Sequence, residues 1–132
     1  MVYLLDANVL VALVVAEHEH HVRVSTWLSG VDRVALCPVV EGALVRFLVR
    51  AGEAVEVARE VLRSLYADPR CEFWPEELSY GEADLSHVRG HRQVTDAYLA
   101  ALAATHDGAL LATLDQGLAN DRSAHTLLVP QV

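Results

Sequence analysis

Short apolar runs alternate with longer amphipathic segments along most of the chain, and this alternation predicts a fold of strands and helices. Apolar runs of four or five residues bounded by turn signals are typical of buried parallel strands. They predict five strands, over residues 2–5, 33–37, 71–74, 109–113 and 126–129. Because helical segments separate them, we expect a parallel sheet covered on both faces.

The segments with helical periodicity or caps predict the helices. They cover residues 7–16, 21–28, 39–50, 53–66, 82–88 and 96–105. The first is ambiguous, since VLVALVV has the composition of a strand, but the chain must cross back over the sheet here. Asp6 or Asn8 is expected to cap this helix and Thr95 the last one, while residues 90–94 form a polar loop.

Composition places the chain among globular proteins. A length of 132 residues and 53% apolar content predict a single domain, residues 1–132, with a real core. The longest apolar run has eight residues, too few for a membrane span, and the N-terminus does not resemble a signal peptide. With only Cys37 and Cys71, a disulfide framework is not credible, so a cytoplasmic location is expected.

Charge limits how the chain can meet nucleic acid. The formal net charge is −8, which repels nucleic acid at long range, so binding would depend on local basic residues or on metal. All ten basic residues are arginine, the better side chain for bidentate phosphate contacts.

Four acidic residues stand at the edges of apolar segments: Asp6, Glu41, Asp96 and Asp115. Two follow predicted strands and two lie near the starts of helices, so all are expected at the rim formed by the carboxyl ends of the strands. A cluster of carboxylates is strongly unfavourable unless protons or a cation neutralise it. The pattern therefore favours a divalent metal site.

The chain resembles the PIN domain, and most closely the VapC-type toxins of bacterial toxin–antitoxin pairs, in the series LLDANVL, PVVEGALVRFL, GHRQVTDAYLAALA and GALLATLDQGL. The similarity runs from residue 2 to about residue 129. It implies a three-layer α/β/α sandwich with a central parallel sheet and endoribonuclease activity dependent on Mg²⁺ or Mn²⁺. It also implies a homodimer and inhibition by a cognate VapB-type antitoxin.

The resemblance also assigns roles by position. The four acidic residues would form the metal site, with Asp6 and Asp96 as the most direct ligands. Asn8 and Thr113 would orient the ligands and the attacking water. A further acidic residue of the family has a loose counterpart in Asp121.

For the RNA contacts we favour the basic side chains of the polar loop just before Asp96. These are Arg89, His91 and Arg92. The sequence leaves open which RNA is cut and whether one metal ion or two are held.

The same residues bear on two other enzyme and signalling classes and on a binding module. Phospho-receiver domains and haloacid-dehalogenase-type phosphatases also place acidic residues at strand ends, but both use a lysine, and this chain has none. A non-catalytic binding module with the same fold stays open. The run from Glu17 to His21 has metal-binding residue types but falls at a helix connection, where capping and exposure are favoured.

Overall fold

A five-stranded parallel sheet forms the centre of the computed structural model, which describes all 132 residues. Its strands are β1 (Val2–Leu5), β2 (Arg33–Leu36), β3 (Cys71–Phe73), β4 (Leu110–Thr113) and β5 (Thr126–Leu128). Every pair of neighbours is parallel. All five strands were predicted from the apolar runs, with bounds that differ by at most one residue.

The strand order is β3-β2-β1-β4-β5, so β1 and β4 are neighbours at the centre. The chain leaves β1 towards one edge of the sheet and leaves β4 towards the other. The carboxyl ends of β1 and β4 therefore form a topological switch point, where parallel sheets commonly bind ligands.

Six helices connect the strands: α1 (Ala7–Val14), α2 (His21–Ser29), α3 (Pro38–Arg50), α4 (Val55–Ala67), α5 (Val94–Ala104) and α6 (Gln116–Asp121). Right-handed crossovers place α1 to α4 on one face and α5 and α6 on the other. The packing agrees, because α1 contacts α2 and α3 while α5 contacts β1 and β4. The predicted three-layer α/β/α sandwich is confirmed.

The central strands are apolar on both faces because helices cover both. Leu4 and Leu5 of β1 and Leu111 and Ala112 of β4 are buried in one continuous core. This core fixes the sheet whose carboxyl edge carries the acidic residues. No helix combines the length and apolar character needed to cross a membrane.

The predicted helix over residues 82–88 is wrong; this segment contains turns and irregular backbone but no helix. The Asp84 carboxylate accepts the backbone N–H of Ser86 at 3.0 Å. Such local side-chain bonds offer the backbone an alternative to helical bonding. The segment is therefore an irregular connection between β3 and α5.

The start of α5 also differs from the prediction. A single 3-10 turn, His91–Gln93, occupies the expected polar loop and continues into α5 at Val94. Thr95 consequently lies inside the helix and does not cap it; Gln93 holds the cap position, and its side chain makes no capping hydrogen bond. Asp96 remains in the first turn, as expected.

The first helix ends earlier than predicted, at Val14, and Asp6 rather than Asn8 caps it. The run from Glu17 to His21 lies mainly in the connection to α2, where the His18 ring accepts the backbone N–H of His20. Helix α6 was not predicted, because Gly117 in a six-residue segment weakens the helical signal.

Candidate active site

The site begins where β1 and β4 end side by side. Asp6 directly follows β1, and its backbone N–H donates to the carbonyl of Ala112 in β4 at 3.0 Å. Thr113 is the last residue of β4, and Asp115 follows two residues later. Strand pairing therefore places Asp6 and Thr113, 107 positions apart in sequence, in direct contact.

Thr113 links two of the aspartates. Its Oγ1 donates to Asp6 Oδ2 at 2.8 Å and accepts the backbone N–H of Asp115 at 3.0 Å. The other Asp6 oxygen, Oδ1, accepts the N–H of Ala7 at 2.8 Å. With Asp6 only 4% exposed and Thr113 fully buried, the hydroxyl determines the orientation of the Asp6 carboxylate.

Asp115 is both a site residue and a helix cap. Its Oδ1 accepts the backbone N–H of Leu118 at 3.1 Å, which is the N-cap interaction of α6. An aspartate three residues before that N–H is the signal that would have identified α6 from the sequence. The cap holds one Asp115 oxygen and leaves the other available.

Asp6 and Asp96 both have raised pKa values, and the negative charge of Asp115 contributes to each rise. The pKa of Asp96 is raised to about 6, mainly by burial and in addition by the negative charges of Asp6 and Asp115. Burial also raises the pKa of Asp6, against the lowering effect of the hydrogen bonds from Thr113 and Ala7; the charge of Asp115 adds to the rise. Asp6, Asp96 and Asp115 thus form one electrostatic group whose repulsion a cation would relieve.

The donor set fits a hard divalent cation. All three groups are carboxylates, and a set of oxygen ligands favours Mg²⁺ or a similar ion over zinc. No set of three or more acidic, cysteine or histidine side chains is close enough to form a complete ligand cage. Mg²⁺ does not need one, since it keeps several waters and commonly uses one or two carboxylates.

Glu41 is held differently from the aspartates. It lies in the first turn of α3, half-buried, and its Oε2 accepts the phenol O–H of Tyr66 in α4 at 2.6 Å. Burial and this hydrogen bond raise the pKa of Tyr66. Glu41 does not contribute to the raised pKa of Asp6 or Asp96. The structure therefore groups three of the four predicted acids and ties the fourth to a neighbouring helix.

A cleft with a volume of about 110 Å³ opens beside Asp96 and Asp115. Asp121, the loose match from the sequence, lines it as well. The residues that sequence analysis missed are the other polar members of the lining: His87, Gln93 and Arg122. For Gln93 a signal existed, since it belongs to the polar run directly before Asp96.

The remaining predicted residues lie outside this group. Asn8 is exposed in the first turn of α1. Arg89, His91 and Arg92 are exposed around the 3-10 turn that leads into α5, and none of the three lines the cleft. Their position beside the rim leaves them accessible to a large ligand.

The fold and the acidic rim define a class of protein, and the sequence comparison supplies its family. Residues 3–121 match the PIN domain model, and the chain belongs to this family. It is 53% identical to Ribonuclease VapC29 of Mycobacterium tuberculosis over 131 residues, covering 98% of each chain. It is also 35% identical to Ribonuclease VapC38 of the same organism over 122 residues, covering 87% of this chain and 86% of that protein.

A solved structure shares the fold. The crystal structure of VapBC2 from Rickettsia felis bound to a DNA fragment from their promoter contains a chain that matches with a TM-score of 0.61. The match covers 91% of this chain and 92% of the other, at 18% identity. It supports the architecture described above.

Proposed function

We propose that this protein is a divalent-metal-dependent endoribonuclease, the toxin of a toxin–antitoxin module. The observation that carries the proposal is the group formed by Asp6, Asp96 and Asp115 at the switch point of a PIN sheet. Near full-length similarity to proteins named Ribonuclease VapC supports the reaction type.

Asp6 and Asp96 would be the main protein ligands of Mg²⁺ or Mn²⁺, with Asp115 beside them. The bound cation would supply neutralisation of the phosphate charge and activation of the attacking water. Thr113 holds Asp6 in one orientation through its 2.8 Å hydrogen bond. The positive end of the α5 dipole partly offsets the burial and the repulsion that raise the pKa of Asp96.

Glu41 and Asn8 complete the predicted set at the rim. Glu41 would act at its edge, either as a further ligand or through a bound water, from the orientation that Tyr66 stabilises. Asn8 would help to orient the attacking water.

RNA would bind across the cleft, with Arg89, His91 and Arg92 contacting phosphates beside the metal. Local arginines of this kind offset the net charge of −8. Their contribution would make RNA affinity depend on salt concentration. Removal of each side chain would make this dependence less steep.

Two protein partners are part of the proposal. A cognate VapB-type antitoxin would neutralise the toxin, and the toxin would form a homodimer. Light scattering on the purified protein tests the dimer. Growth arrest on expression in bacteria, absent for Asp6→Ala and relieved by co-expression of the antitoxin, tests the toxin–antitoxin assignment.

The deciding experiment is incubation of the purified, partner-free protein with total bacterial RNA and Mg²⁺ or Mn²⁺, with Asp6→Ala alongside. Discrete fragments that need the metal and are absent with the variant are expected. A folded protein that binds the metal and RNA but never cleaves would favour the alternative, a non-catalytic RNA-binding module.

A further inference from the structure

Arg122 is a buried cation in the wall of the cleft. It follows α6 directly and is 6% exposed. Its Nη2 donates to the backbone carbonyl of Asp84 and to that of Ala97, the latter at 3.2 Å. Its Nη1 lies 3.4 Å from the Asp84 carboxylate, and its Nε has no hydrogen-bond partner.

This arrangement is a poor source of stability. A buried guanidinium loses its hydration, and the single carboxylate near it is 69% exposed, so solvent screens their attraction. The unpartnered Nε adds a further cost. An apolar side chain of similar size would fill the same space without these costs, which points to a role beyond packing.

The role of Arg122 is suggested by the two parts of the cleft lining that its guanidinium connects. Ala97 adjoins Asp96 in the first turn of α5, and Asp84 begins the irregular segment that carries His87 and Val88 into the cleft. Arg122 itself lies between them in the cleft lining. One side chain thus joins the two walls that face each other beside the aspartates.

The two walls depend on Arg122 to different degrees. Helix α5 keeps its own backbone hydrogen bonds without Arg122, so Asp96 stays in place. The segment over residues 84–88 is neither helix nor strand, and it has only local turn bonds such as Val88 N–H to the carbonyl of Leu85. Removal of Arg122 would therefore release this wall and leave the metal ligands where they are.

We propose that Arg122 is a positioning residue that holds the 84–88 wall against α5 and so shapes the cleft that receives RNA. The inference rests on the proposed ribonuclease function. It assigns to Arg122 an effect on substrate binding and not on the chemical step.

The chain offers a matched control in Arg23 of α2. It is 7% exposed, and its guanidinium also donates to backbone carbonyls, with Nε at 3.0 Å from the carbonyl oxygen of Val129. It does not line the cleft. Arg122→Met and Arg23→Met therefore remove equivalent buried cations, of which only one touches the cleft.

The test compares both variants in RNA cleavage, normalised to the folded fraction. Arg122→Met is expected to raise KM by about tenfold with kcat nearly unchanged, whereas Arg23→Met keeps both values. Arg122→Lys, which keeps the charge but reaches fewer acceptors, is expected to recover part of the loss. If Arg122→Met does not fold, Arg122→Lys is compared with Arg23→Met instead. A rise in KM is again expected, but a smaller one.

Amide hydrogen exchange separates this inference from the proposed function. Faster exchange over residues 84–88 in the Arg122 variant, but not in the Arg23 variant, is expected even if the wild type cleaves no RNA. Absence of cleavage would then overturn the ribonuclease and leave the positioning contact intact. Equal exchange in the two variants, or an equal KM, would overturn the role of Arg122.

Discussion

Asp6 and Glu41 are carboxylates near the same edge of the sheet, but the protein holds them by different means. Asp6 is buried at a strand end, where sheet pairing and the Thr113 hydroxyl define its position. Glu41 is half-buried on a helix and held by one phenol from a neighbouring helix. The longer Glu41 side chain has more rotamer freedom, so it is freer to reorient than Asp6.

The largest loss of activity is expected when a substitution removes one member of the aspartate group. Asp6→Asn keeps the size of the side chain but removes a charge that a cation needs. Loss of several kcal/mol of charge stabilisation corresponds to a fall in kcat/KM of about 10³-fold or more. Cleavage rates of the folded variant measure it, with circular dichroism as the control for folding; activity within tenfold of wild type would refute the assignment of Asp6.

A smaller loss is expected when only the orientation of Asp6 is released. Thr113→Val removes the hydroxyl that joins Asp6 to Asp115 and should lower activity or metal affinity by about 10- to 100-fold. Thr113→Ser keeps the hydroxyl and is the matched control. Metal titration followed by activity distinguishes the two variants; equal losses would show that the fit of the side chain, and not the hydroxyl, sets the activity.

Activity should depend less on the hydrogen bond that holds Glu41 than on the one that holds Asp6. Tyr66→Phe removes the 2.6 Å bond and is expected to lower activity by about tenfold at most, less than Thr113→Val. If Tyr66 acts only through Glu41, then Glu41→Ala and the double variant should have equal activity. A loss as large as that of Thr113→Val would mean that both acids are held with equal rigidity.

The smallest expected effect is on the stability of the metal-free protein. The pKa of Asp96 is raised from 3.8 to about 6, so between these values the folded state binds a proton more tightly than the unfolded state. The free energy of unfolding therefore falls as pH rises from about 4 to 6, because the folded protein must give up that proton. In EDTA, the thermal midpoint of the wild type should fall across this range relative to Asp96→Asn.

The same comparison predicts the effect of the metal. Mg²⁺ should raise the wild-type midpoint more at pH 7 than at pH 5, since only ionised carboxylates bind it well. Asp96→Asn should show a much weaker response. A wild-type midpoint that rises from pH 4 to 6 relative to the variant would contradict the raised pKa of Asp96, and with it the burial and the repulsion that cause it.

Much of the fold followed from local patterns. The apolar runs identified all five strands, because strands buried on both faces are continuously apolar. Two of the failures have local causes: Asp84 accepts a hydrogen bond from its own backbone neighbourhood where a helix was expected, and Gly117 weakens the signal of the short helix α6. Neither failure affects the order of the strands or the position of the switch point.

The sequence by itself determined that Asp6 and Asp115 meet at one edge of the sheet, since residues after parallel strands share that edge. Only the tertiary structure decided which side chains hold them. Thr113 contacts Asp6 across 107 positions, Tyr66 contacts Glu41 across 25, and Arg122 contacts Asp84 across 38. Such contacts depend on strand register and helix packing, which are properties of the whole core and not of any local segment.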